Sequence, residues 1–246
     1  MTDLDIIIRG GMIIDGQRTP RYRGDIGIKD GQVAAITGVG GLSKKTASKE
    51  IYAEGLIVAP GFVDLHTHYD AQVFWDPYCT TSGWHGVTSV VIGNCGFGIA
   101  PVKEDGRERA MLSLTRNEAI SYDAMAEALA WDWETFPEFM DAIERTPKGI
   151  NLLTYIPLSP LIAYVMGGVD NAKKRRPSKD EMGRIKQLIS DAMVPAGFLH
   201  RILATLPCNA ITTAHRTSRT LCISTTFSTW SRCSRIKVAA RFRCSD

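Results

Sequence analysis

The chain has 246 residues, of which 44% are hydrophobic and 22% charged, with a formal net charge of +3. This balance fits one globular domain, or one with a small satellite, and excludes disordered and collagen-like classes. No run reaches the roughly 18 apolar residues of a membrane span, and the opening MTDLDIII lacks a basic segment and a cleavage site, so the expected location is cytoplasmic with no membrane partner.

The first elements read as β. Residues 4–14 form a β-branched run broken at Gly10 and Gly11 and followed by the Asp15-Gly16 turn signal. Alternation over 24–28, the Asp30-Gly31 turn and an apolar run over 32–36 predict a hairpin in a small antiparallel unit. A Gly/Ser/Lys loop over 38–49 leads to a further strand over 51–58, which ends at Pro60-Gly61. Residues 1–57 thus form a first, β-rich portion.

The period then changes. A short apolar strand over 62–65 runs into His66-Thr67-His68, and a continuous apolar strand over 86–92 ends in a glycine-rich turn over 93–98 that contains Cys95. Continuous apolar strands suit a parallel sheet covered on both faces. Helical spacing follows over 118–130 and 136–145, a third apolar strand over 149–156, and a helix over 178–193 that opens with a Ser-x-x-Glu capping box. Strands alternating with helices predict βα units over 58–193.

Composition breaks near residue 194. Residues 194–246 hold one acid, Asp246, against eight Lys and Arg, with four of the six cysteines, fourteen Ser and Thr, and a single glycine, Gly197. Six cysteines so unevenly spread do not make a disulfide scaffold, and an important cysteine here is a metal ligand or a thiol.

The sharpest chemical signal is the His66-x-His68 pair at a strand end. Residues two apart in a strand point to the same side, so both imidazoles can reach one metal ion. Cys95, at the end of the next parallel strand, is the candidate third ligand, because α/β barrels gather their sites at the carboxyl ends of strands. A thiolate with imidazoles favours zinc over magnesium or calcium. The opposing reading is chance spacing of two histidines and a buried cysteine acting as a small hydrophobe. Asp64 and Asp70 are either acceptors that orient the imidazoles or strand-end residues. His85 and the aromatic cluster of Trp75, Tyr78 and Trp84 read as packing, residues 131–135 as a connector that suits a lid, and Lys173 to Arg176 as a solvated charge run.

Residues 60–70 (PGFVDLHTHYD) and 86–101 (GVTSVVIGNCGFGIAP), with Ile8-Arg9-Gly10-Gly11 before them and the stretches at 151–157 and 165–167 after, resemble the N-acyl-D-amino-acid deacylase (D-aminoacylase) branch of the metal-dependent amidohydrolases. The resemblance runs from residue 4 to about residue 193. It implies an α/β fold, an incomplete (β/α)8 barrel carrying the N-terminal portion of a small β-sandwich. It further implies Zn2+ as cofactor, with Cys95 as a principal ligand and His66 and His68 at a second metal position. A small-molecule N-acyl amino acid or related amide is the implied substrate.

The general-base aspartate of that family has no counterpart here, so no catalytic residue is assigned, and His200 and His215 stand in contexts that do not match. Fewer than 140 family-like residues follow the β-rich portion, too few to close a barrel that takes about 200 to 250. The expectation is a reading-frame shift near residues 192–196. A basic tail over 194–246 would then follow a truncated chain that is weakly active or inactive. The alternative for the tail is a genuine basic extension, but its charges are scattered and it lacks a stacking platform, which argues against a nucleic-acid partner. The alternative for the molecule is a non-catalytic metal-binding or interaction protein of amidohydrolase descent. A cyclic-amide hydrolase of the dihydropyrimidinase type fits less well, because those enzymes rely on a bridging lysine where Cys95 stands. Oligomeric state is not set by the sequence.

Overall fold

A computed structural model of the chain describes residues 3–193 and the pair Ile202–Leu203. Expectations for 194–201 and 204–246, including His200, His215 and a frame-shifted tail, lie outside the described residues. The described chain divides into two compact units between Phe62 and Val63.

The first unit is a five-stranded sheet. Its strands are β1 (Leu4–Ile13), β2 (Tyr22–Lys29), β3 (Gln32–Gly38), β4 (Ala47–Tyr52) and β5 (Ile57–Val58), in the order β3-β2-β1-β4 with β5 also on β1. The antiparallel expectation holds for β1, β2 and β3. β4 and β5, whose direction the sequence leaves open, run parallel to β1 because the chain leaves β3 and crosses to the far edge of β1.

Gly10 does not break β1. The register shifts between Ile8 and Gly11, and Gly10, at φ 68°, absorbs the irregularity in a conformation only glycine adopts cheaply. The strand expected over 51–58 is split by a turn in which the Leu56 amide donates to the Ala53 carbonyl at 2.9 Å. Ile7 and Ile8, neighbours that point to opposite sides of β1, are both buried, so both faces of the strand are covered.

Asp25 locks this unit together. Its buried carboxylate accepts from the Gly10 amide through Oδ1 and from the Gly40 amide through Oδ2, both at 2.9 Å. An amide side chain keeps one acceptor and turns an N–H toward the other donor. Asp25→Asn is therefore expected to cost about 1–3 kcal/mol, read as a lower denaturant midpoint with an unchanged slope. An unaltered midpoint contradicts this role.

The second unit is built on β6 (Phe62–Asp64), β7 (Val87–Ile92), β8 (Asn151–Tyr155) and β9 (Ile202–Leu203), in that spatial order. β7, β8 and β9 pair in parallel, as the continuous apolar runs predict. Ile202 and Leu203 extend the sheet beside Thr154 and Tyr155. After β6 come α1 (Thr80–Trp84), α2 (Arg107–Glu118), α3 (Tyr122–Ala128), α4 (Phe136–Arg145), α5 (Leu158–Met166), α6 (Val169–Lys174) and α7 (Lys179–Met193). No helix among the described residues is long and apolar enough to cross a membrane.

The helix expected over 118–130 is the shorter α3, and α2 before it is not anticipated by the sequence. Ala119, left-handed at φ 55°, ends α2 at Glu118, and Ser121 caps α3 by accepting from the Ala124 amide. The capping box of α7 forms as read: the Glu181 amide donates to Ser178 Oγ at 3.2 Å, and the Ser178 amide donates to Glu181 Oε2 at 2.7 Å. The Arg175 guanidinium, bonded to both oxygens, holds the Glu181 carboxyl down at about 2.

Val90, Ile92 and Leu152 of the sheet share a core with Leu114, Met125, Ile143 and Leu161 of the helices. Trp133 lies within it, its indole N–H donating to the Ile99 carbonyl at 3.0 Å and its ring stacked on Phe74 at 5.0 Å. The connector over 131–135 is thus anchored in the core by Trp133, while Asp132 and Glu134 stay exposed. Trp84, Tyr78 and Trp75 behave in the opposite way and are exposed, not packed.

Candidate metal centre

Two loops, one after β6 and one after β7, meet at the carboxyl ends of neighbouring strands. Thr67, between the two histidines, is buried; its amide and its hydroxyl both donate to the Val91 carbonyl, at 3.1 and 2.7 Å. Asn94 ties the loops from the other side, its Nδ2 donating to the carbonyls of Thr67 at 3.2 Å and Val91 at 2.9 Å. With Thr67 fixed inward, the residues on either side of it are turned to a common outer face.

Gly93, at φ 76°, starts the second turn. A Cβ on it would collide with the Tyr155 backbone carbonyl of β8, so the position takes only glycine on two grounds. Cys95 is also left-handed, at φ 54° and ψ 8°. For a residue with a side chain this conformation costs roughly 1–2 kcal/mol, and it persists where something else requires it.

The outcome is a cluster of three donors. His66 Nε2 lies 3.3 Å from Cys95 Sγ, and His68 Nε2 lies 3.9 Å from it. The donor atoms of His66, His68 and Cys95 all fall within 4.8 Å of one another. Bonds of about 2.0 Å to nitrogen and 2.3 Å to sulfur in a tetrahedral zinc site put N and S about 3.5 Å apart, so the cluster matches to a few tenths of an ångström. His66 is exposed, while His68 and Cys95 are half-buried, which leaves the face open on one side.

Burial lowers the His68 pKa below that of a free imidazole; the nearby Glu118 carboxylate opposes the shift and the neighbouring His66 adds to it. Two buried polar atoms here lack a hydrogen-bond partner, His68 Nδ1 and Asp70 Oδ2. A metal-bound imidazole usually donates its other ring N–H to a partner, and none among the described residues reaches His68 Nδ1. Soft thiolate and borderline imidazole donors, spaced for tetrahedral geometry, fit zinc and not a hard oxygen-seeking cation.

The flanking aspartates do not touch the imidazoles' free nitrogens through any hydrogen bond in the structure. Asp64 Oδ1 accepts from the His66 amide at 3.1 Å, and Asp70 Oδ1 accepts from the Gly93 amide at 2.9 Å. Asp70 is fully enclosed, and burial pushes its carboxyl up to about 7. It anchors the cysteine turn to the histidine loop. His85 is exposed and takes no part in the cluster. Sequence reasoning misses Glu118, whose Oε2 lies 3.2 Å from His68 Nε2. No local pattern marks it, since the contact joins the end of α2 to a loop far back in the chain.

Fold and site together define an α/β protein with an imidazole–thiolate cluster at the ends of adjacent strands. Residues 49–220 match the amidohydrolase family, and the chain belongs to it. The match continues past the composition break near residue 194.

The chain is 42% identical over 190 residues to the N-acyl-D-glutamate deacylase of Alcaligenes xylosoxydans xylosoxydans, covering 77% of this chain and 35% of that protein. It is 33% identical over 189 residues to the D-aminoacylase of the same organism, with the same coverage. The crystal structure of N-acyl-D-glutamate deacylase from Bordetella bronchiseptica, complexed with zinc and a phosphonate mimic of the tetrahedral intermediate, superposes with a TM-score of 0.64 at 30% identity. That superposition covers 80% of this chain and 38% of the other. The chain thus spans about a third of the length of the curated relatives it matches.

Proposed function

We propose that this chain is the N-terminal part of a zinc-dependent deacylase that cleaves N-acyl-D-amino acids to a carboxylate and a D-amino acid. His66, His68 and Cys95 are its zinc ligands, and the second unit is an arc of a (β/α)8 barrel. The observation that carries the proposal is Cys95, held in a costly left-handed conformation with its sulfur 3.3 and 3.9 Å from the two imidazole nitrogens. The relatives named above support the substrate class.

When bound, zinc polarises the amide carbonyl and brings the pKa of a coordinated water to about 7. The chain's own residues hold the donors in place. Thr67 and Asn94 fix the two loops to the end of β7, and Asp70 fixes the cysteine turn. Asp70 is enclosed and occupied with the Gly93 amide, so it serves the turn and not the substrate. Because the sequence offers no counterpart of the family's general-base aspartate, the 246 residues alone are expected to turn over slowly.

The test is release of D-glutamate from an N-acyl-D-glutamate by the zinc-loaded 246-residue chain, beside the L-enantiomer and a cyclic amide. Slow, zinc-dependent release confined to the D-substrate is expected. Zinc retained with no release above background supports the metal-binding reading instead. Turnover of the L-substrate or the cyclic amide alone overturns the substrate class, and rapid turnover overturns the expectation of an incomplete enzyme.

A further inference from the structure

We infer that Cys95 is also a nucleophile, with His66 as its base, and takes the acyl group of a small thioester or aryl ester onto its sulfur when no ion holds that sulfur. The inference goes beyond the zinc reading and does not depend on it.

A cysteine is acylated readily when a base lies within hydrogen-bond reach, the sulfur meets solvent and a tight turn presents it. His66 Nε2 lies 3.3 Å from Cys95 Sγ. Cys95 is half-buried beside the exposed His66, so an ester can approach from the open side. The turn comes from the fold: β7 ends at Ile92, Gly93 bends the chain at φ 76°, and Cys95 itself stands left-handed at φ 54°. The Phe97 amide closes that turn by donating to the Asn94 carbonyl at 3.1 Å, and the Asn94 side chain is tied to Thr67 and Val91. The sulfur is therefore held against the imidazole.

Glu118 decides which imidazole serves. Its Oε2 lies 3.2 Å from His68 Nε2, and an ionised carboxylate only accepts. The proton of that ring thus sits on Nε2, the nitrogen that faces Cys95 Sγ at 3.9 Å, and His68 meets the sulfur as a donor. His66 is left to accept the thiol proton. Cys79 is the opposite case in the same unit: it is fully enclosed, and burial pushes its thiol up to about 12.

The chemistry balances with water alone. Sγ attacks the acyl carbon as His66 Nε2 takes the thiol proton, the alcohol or thiol leaves carrying that proton, and a thioester remains on Cys95. Water then attacks the thioester, releasing the acid and returning a proton to the sulfur.

The experiment treats the chelator-stripped 246-residue chain with p-nitrophenyl acetate, folded and in urea, and follows acetylation of each cysteine-containing peptide by mass spectrometry. The Cys95 peptide is expected to gain one hydroxylamine-labile acetyl group about 100-fold faster in the folded chain than in urea, the low end of what a positioned base supplies. The Cys79 peptide should react more slowly in the folded chain than in urea. His66→Gln should remove most of the enhancement at Cys95 while keeping the parent's denaturant midpoint.

Equal or slower acetylation of Cys95 in the folded parent overturns the inference, with no variant needed and whatever the zinc affinity. Full enhancement in His66→Gln overturns the pairing with that base. Excess zinc should suppress the labelling; labelling that persists in zinc supports the nucleophile and overturns the zinc reading, so the two fail separately.

Discussion

Cys95→Ala is expected to weaken zinc binding at least about 100-fold, beyond the roughly 10–100-fold lost when only an outer partner of a ligand is removed. The sulfur is the shared member of the cluster, lying within reach of both imidazole nitrogens, so its loss leaves two donors that have no common third. Stability should change little, because Cys95 is half-buried and alanine pays the same left-handed cost at φ 54°. Cys95→Gly separates the two effects. It should bind zinc as poorly as Cys95→Ala yet fold about 1 kcal/mol more stably than it, because glycine alone is at ease in that conformation. Chelator competition and denaturant unfolding of both variants check the pair of outcomes. Zinc affinity that survives in either variant removes the thiolate from the centre, and with it the strongest support for the zinc reading.

What the sequence discloses about this centre follows the range of the interactions. His66 and His68 are legible because strand geometry alone puts residues two apart on one side, and the structure brings their Nε2 atoms to one cluster. Cys95 is legible because glycines at 93, 96 and 98 announce a sharp turn after an apolar strand. The internal logic of the loops is not legible. Nothing in the chain order says that Thr67 and Asn94 both seek the Val91 carbonyl, or that the Asp70 carboxylate holds the Gly93 amide instead of an imidazole. The Thr67–Val91, Asn94–Thr67 and Asp70–Gly93 contacts each span some 20 to 30 residues and depend on two loops being placed by the sheet.

The same limit governs the helices. α4 announces itself with Thr135 and Glu138 as a capping box before a strongly apolar face, and α7 does so with Ser178 and Glu181. α2 does not, because its sequence RERAMLSLTRNE buries only Met111 and Leu114 and lacks a side-chain cap. Missing α2 also hid Glu118, whose significance arises only once the helix end is seen beside His68. In the sheet of the first unit, Gly10 reads as a break from composition and proves to be an irregularity within one strand. The deciding partner, Asp25, is on a different strand.

Gly93→Ala tests the link between backbone and site most directly, with an expected cost of about 3–5 kcal/mol from the left-handed conformation and the collision with β8 together. Its φ of 76° forces any L side chain into strain, and the added Cβ meets the Tyr155 carbonyl, which belongs to the strand and has no flexible end to move. Gly31→Ala is the control. Gly31 has a similar φ, 71°, but nothing lies within 4 Å of an added Cβ there, so it should pay the conformational cost alone, roughly 1–2 kcal/mol. The difference between the two is the energy of forcing β7 and β8 apart at the end that presents Cys95. Denaturant midpoints measure it, and zinc competition on the same samples should show binding weakened in Gly93→Ala and unchanged in Gly31→Ala. Equal costs for the two variants would mean that the turn yields without disturbing β8. In that case the close approach of Gly93 to Tyr155 is not what positions the thiolate.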